Sequence, residues 1–129
     1  MQLDADAVLW STPERERAGR ELIVLLHGYG SHEGDLFALA PALPLDAVVA
    51  SVRAPLRESG GHAWGALDGP VPAQPDIAAV DAAAEAVLAW LDTTGAERVT
   101  VLGFSQGAAM SLELLRLAPR RFARAVCLS

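Results

Sequence analysis

The sequence predicts an α/β domain with a mostly parallel sheet and helices on both faces. Three observations carry this. Three short apolar runs, within Glu21–Leu26, Asp46–Val52 and Arg98–Leu102, have the length and composition of strands buried on both sides. Segments with helical spacing alternate with them, and such alternation builds parallel sheets through right-handed crossovers. The third run leads into Gly103-Phe104-Ser105-Gln106-Gly107 and then a helix-forming stretch, a strand–turn–helix sequence.

The elements follow in order. Leu3–Trp10 has the makings of a short edge strand, and the charged stretch Ser11–Arg20 reads as a solvated hairpin turn. Glu21–Leu26 (E-L-I-V-L-L) is the first buried strand and runs into His27-Gly28-Tyr29-Gly30. Asp35–Ala40 reads as a short helix stopped by Pro41. Asp46–Val52 supplies another strand, followed by Arg53-Ala54-Pro55. Leu56–Pro75, rich in Gly and Pro with Trp64 within it, is expected to be an ordered loop bordering a site.

Asp76–Thr93 is the strongest helix. Ile77, Val80, Ala84, Val87, Leu88 and Leu91 recur on one face, with Pro75 and Asp76 at its start and Gly95 at its end. Asp76 and Asp81 are read as charges that complement the helix start. After the strand ending at Leu102 and the glycine-flanked turn, a helix runs to Leu117 and stops at Ala118-Pro119. Phe122–Leu128 is a last strand. No repeat or linker divides the chain, so residues 1–129 are one domain.

Composition narrows the function classes. The net charge is −6, and all ten basic residues are arginine, which disfavours nucleic acid and anionic membranes as partners. No apolar stretch is long enough to span a membrane. The acidic start, M-Q-L-D-A-D, lacks the bases of a secretory signal. The single cysteine, Cys127, forms no internal disulfide and is expected to be a buried packing residue in a reducing, cytoplasmic setting.

The chemistry centres on Ser105. A tight turn from a buried strand into a helix strains the central residue and brings strand and helix together, so Gly103 and Gly107 fit where a Cβ would collide. The turn exposes the Ser105 hydroxyl and points the Gln106 N–H, at a helix N-terminus, toward a developing oxyanion. Serine needs a base to act as nucleophile. After Ser105 the sequence holds one carboxylate, Glu113, and no histidine. Glu113 lies along the following helix, out of reach. His27 is expected to shape the loop that offers the Tyr29 N–H as a second oxyanion donor, rather than to act as base. His32 and His62 read as exposed loop residues, and His32, Glu33 and Asp35 do not have a strong metal-ligand spacing.

Leu26-His27-Gly28-Tyr29-Gly30, Asp35-Leu36, Arg53-Ala54-Pro55, Trp64 and Gly103-Phe104-Ser105-Gln106-Gly107-Ala108 together resemble the phospholipase/carboxylesterase family of α/β-hydrolases, the group that includes acyl-protein thioesterases. The resemblance implies an α/β-hydrolase fold and hydrolysis of small carboxylic esters or thioesters through an acyl-enzyme on Ser105. It also implies oxyanion N–H groups from Tyr29 and Gln106, substrate contacts from Tyr29 and Trp64, structural roles for His27, Gly28, Gly30, Gly103 and Gly107, and no cofactor or metal. For Trp64, a plain core role stands equal with lining an acyl site. Family domains are longer, with their triad Asp and His and further strands beyond the point where this sequence stops. The chain is therefore expected to be a truncated domain, C-terminal strands missing, weak or inactive alone. The alternative is a non-catalytic binding module of the same fold. The 122–128 strand then becomes an apolar edge that invites self-association or a covering partner.

Overall fold

The computed structural model describes residues 1–68, 74–75 and 77–129. Its core is a five-stranded sheet of β1 (Leu9–Trp10), β2 (Leu22–Leu26), β3 (Val48–Val52), β8 (Val99–Phe104) and β9 (Arg124–Leu128), in the order β1-β3-β2-β8-β9. β2, β3, β8 and β9 are parallel and β1 is antiparallel. Every residue of β2 and β3 is buried, as unbroken apolar runs require.

Alternation within those strands divides the core in two. Leu22, Val24 and Leu26 join Val48, Ala50 and Val52 in a cluster with Ala84, Val87 and Leu91 of α2 (Ile77–Thr94) and Met110 and Leu114 of α3 (Gln106–Leu117). Ile23, Leu25 and Val49 point the other way, toward Leu36 of α1 (Glu33–Phe37). Helices therefore cover both faces. The expected start of α2 at Asp76 and the Ile77 side chain lie outside the described residues.

Four expectations need correction. Ser11–Arg20 is not a hairpin turn, because β1 pairs with β3 and not with β2. β2 already holds parallel partners on both edges, so the chain crosses over, and Ser11 continues the β1–β3 contact by donating its N–H to Val49 O at 2.9 Å. The long loop contains a hairpin of β4 (Leu56–Glu58) and β5 (Gly61–Ala63) and a short pair, β6 (Leu67–Asp68) with β7 (Gln74–Pro75). Asp81 faces α3 rather than capping α2, and Arg116 Nη2 of α3 lies 3.7 Å from its Oδ1. Cys127 is exposed, because β9 pairs only with β8 among the described residues and little packs over its end.

Candidate active site

The carboxyl ends of β2 and β8 lie side by side, with Leu26 paired to Gly103. In open parallel sheets this is where sites form. β8 passes directly into α3 through Ser105, which is exposed and has φ 56° and ψ −111°. A non-glycine residue in this region is strained by roughly 1–3 kcal/mol. The flanking glycines explain how the turn closes. A Cβ on Gly103 would overlap the Gly107 carbonyl, and one on Gly107 would overlap the Leu26 carbonyl. The helix thus abuts the end of β2 with backbone on backbone.

The Ser105 N–H donates to Leu128 O of β9 at 2.9 Å, and Ser105 O accepts from the N–H groups of Ala108 and Ala109. The Gln106 N–H, in the first turn of α3, has no acceptor within the helix. The Tyr29 N–H, on the loop after β2, finds no acceptor among the described residues. Tyr29 is half-buried, and its hydroxyl donates to Glu58 Oε2 at 3.2 Å, fixing the ring against the β4–β5 hairpin.

His27 is 1% exposed, and both ring nitrogens are occupied. The Ala54 N–H donates to Nε2 at 3.1 Å, so the proton resides on Nδ1, which donates to Gly28 O at 2.8 Å. Burial holds the His27 pKa below its ordinary value of 6.5 and keeps the ring neutral. Its place is inside the loop, as a brace between β2 and the Arg53-Ala54-Pro55 segment. Gly28 packs close to Phe104, and Gly30, at φ +75°, turns the chain toward the hairpin, where its N–H donates to His62 O at 2.9 Å.

Trp64, expected to line an acyl site or to serve as a core aromatic, is fully buried in the core. Its indole N–H donates to His27 O at 2.8 Å. With no open surface it does not line a pocket, and its contacts are those of a structural residue. His62 is half-buried rather than exposed, and burial lowers its pKa. His32 is exposed and caps α1 by accepting the Gly34 N–H at 3.0 Å. The neighbouring acids face elsewhere. Glu33 chelates Arg53 through two hydrogen bonds of 2.8 and 2.7 Å, and Asp35 accepts from Ser31 Oγ at 2.8 Å. Arg53 draws the Glu33 pKa down to about 2. Glu113 pairs with Arg116 on α3.

Sequence reasoning missed two features. One is the Glu33–Arg53 pair, which joins the first turn of α1 to the end of β3. The other is the Gln106 side chain, whose Oε1 accepts the Trp64 N–H at 2.9 Å while Nε2 donates to Gly65 O at 2.8 Å. Neither has a local signature, since the partners lie 20 and about 40 residues apart.

The arrangement combines an exposed hydroxyl on a strained turn with the first turn of α3 and a Tyr29 N–H that has no acceptor among the described residues. That constellation suits attack on an acyl carbon and stabilisation of the resulting oxyanion. Ser105 Oγ bonds to no imidazole among the described residues.

Comparisons with known proteins agree with this fold. Residues 11–129 match the family model described as Phospholipase/Carboxylesterase. A carboxylesterase from Mesorhizobium loti superposes with a TM-score of 0.77 at 25% identity, over 97% of this chain and 62% of its own. A Bacillus cereus carboxylesterase gives 0.79 at 23% identity, over 93% and 57% respectively. Esterase PE8 gives 0.62 at 30% identity, over 88% and 57%. The chain thus spans about three-fifths of the length of these structures. No curated protein sequence matches it. The model match over nearly the whole chain, joined to the shared α/β-hydrolase architecture, makes this chain a member of the phospholipase/carboxylesterase family.

Proposed function

We propose that the site is the nucleophile and oxyanion portion of a carboxylesterase acting on small carboxylic esters or thioesters. Ser105 Oγ adds to the acyl carbon and its proton passes to a base. The tetrahedral oxyanion accepts from the backbone N–H groups of Gln106 and Tyr29. Collapse expels the alcohol or thiol, which takes up the proton, and water then hydrolyses the acyl-serine. The observation that carries this reading is the exposed Ser105 at positive φ, on the turn where β8 enters α3 beside the end of β2. No cofactor enters these steps.

Among the described residues no side chain hydrogen-bonds Ser105 Oγ to act as its base. His27 is closed within its loop and Glu113 is held by Arg116. Turnover by these 129 residues alone is therefore expected to be weak. The same observation favours the second reading, a non-catalytic module that binds esters without cleaving them. A reducing cytoplasmic setting suits the exposed Cys127, and pairing of β9 with a second copy of the chain suits its open edge.

The test is incubation of the chain with p-nitrophenyl acetate, followed by intact-mass and peptide analysis, with Ser105→Ala as control. Acetylation at Ser105 supports the esterase reading even where turnover is slow. Equal p-nitrophenol release by both chains, without an acyl adduct, rejects it in favour of the binding module.

A further inference from the structure

The elbow, Gly103–Gly107, and the loop that carries Tyr29 pack together where Gly107 meets the end of β2 and where Gly28 meets Phe104. Gly107 packs on the carbonyls of Leu26 and His27 so closely that no side chain fits. A second, hydrogen-bonded connection runs between the same two elements. The Gln106 carboxamide receives the Trp64 N–H at 2.9 Å and donates to Gly65 O at 2.8 Å. The Trp64 indole N–H then donates to His27 O at 2.8 Å, and the His27 ring receives the Ala54 N–H. The bonds of the Trp64 indole and the His27 ring are buried and those of the Gln106 carboxamide part-buried, so water competes with them less than at an open surface.

We propose that the side-chain carboxamide of Gln106 is a positioning group that docks the Trp64–Gly65 segment between the elbow and the Tyr29 loop, and so sets the two backbone donors relative to each other. The chemistry of the site requires an amide. Its oxygen must accept and its nitrogen must donate, on a stem long enough to reach the strand that ends at Ala63. A thioether of equal length does neither. A carboxylate accepts but cannot donate, and it faces the Gly65 carbonyl with like polarity. A protonated carboxyl, with one acceptor and one donor, restores both bonds. The consequence for Ser105 reactivity rests on the esterase reading; the docking itself does not.

The experiment compares the chain with Gln106→Met and Gln106→Glu by amide hydrogen exchange and by the Trp64 backbone and indole N–H resonances, between pH 4.5 and 8. Exchange is expressed relative to the unsubstituted chain at each pH, which removes the titration of His27 and His62. Gln106→Met is expected to exchange the Trp64 amide about tenfold faster or more at every pH. Gln106→Glu is expected to match the unsubstituted chain at the acid end and to lose protection as its carboxyl ionises. Unfolding of this variant above that titration, with recovery below it, reads the same way. Trp64 resonances and protection unchanged in both variants across the range overturn the proposal, as does a Gln106→Glu loss that acid does not restore. Ser105 acetylation, measured in parallel, separates the two readings. Acid-reversible docking without acetylation leaves the positioning role standing and rejects the esterase.

Discussion

At the scale of single residues, the site depends on three unusual placements. Ser105 adopts a backbone conformation that glycine tolerates better than any residue with a Cβ. Ser105→Gly is therefore expected to be more stable than Ser105→Ala by about 1 kcal/mol in urea unfolding, although both lack the hydroxyl. Gly107 has the opposite constraint, since space and not φ forbids a side chain there. Gly107→Ala is expected to lose more than about 3 kcal/mol, or to yield no folded chain, because backbone on both sides must move. His27 is buried as the neutral ring. The unfolded chain takes up a proton near pH 6.5 and the folded chain only at lower pH, so stability is full above 6.5 and falls as pH drops below it. Urea midpoints followed from pH 7.5 to 5 should show this decline.

At the scale of elements, α1 is only five residues long, too short to persist without tertiary contacts. His32 caps it, Leu36 anchors it, and Glu33 ties it to Arg53 at the end of β3. Ser51 Oγ adds a bond to Glu33 O at 2.5 Å. The Glu33 side chain is 15% exposed and Arg53 33%, so screening is incomplete and the pairing is bidentate. Glu33→Gln is expected to destabilise the chain by about 1–2 kcal/mol at pH 7. With the Glu33 pKa held at about 2 against an ordinary 4.5, that stabilisation is present above pH 4.5 and disappears as pH falls toward 2. The variant and the unsubstituted chain should therefore converge in acid.

At the scale of the whole molecule, the two edges of the sheet differ. β1, two residues long, closes one side with an antiparallel pair and the tilted contact of Trp10 and Trp90, whose centroids lie 5.8 Å apart. β9, at the other side, pairs only with β8 among the described residues, and Cys127 and Leu128 are exposed at its end. An open strand with an apolar sequence is a template for another chain. Sedimentation velocity at rising concentration is expected to show self-association, reduced by Val126→Lys, which places a charge on that strand. A monomer at every concentration would remove the proposal that a second copy covers β9.

Much of this was legible in the residues because the signals are local. Apolar runs of strand length, helical spacing and glycines that bracket a serine are consequences of backbone sterics and of burial on one or two faces, and they appear wherever the chain repeats them. β2, β3, β8, α2, α3 and the elbow at Ser105 follow in that way, as does the position of His27 at a strand end. The partner of β1, the burial of Trp64, the exposure of Cys127 and the reach of Gln106 to Trp64 do not. Each depends on what lies beside a residue in space across roughly 20 to 40 positions of chain, and sequence periodicity carries no information about that neighbour. The sequence by itself determined which segments form strands and helices and which serine sits on the turn. The tertiary structure alone decided which segments meet at that serine's turn, because only the packed sheet brings the ends of β2, β5 and β8 together.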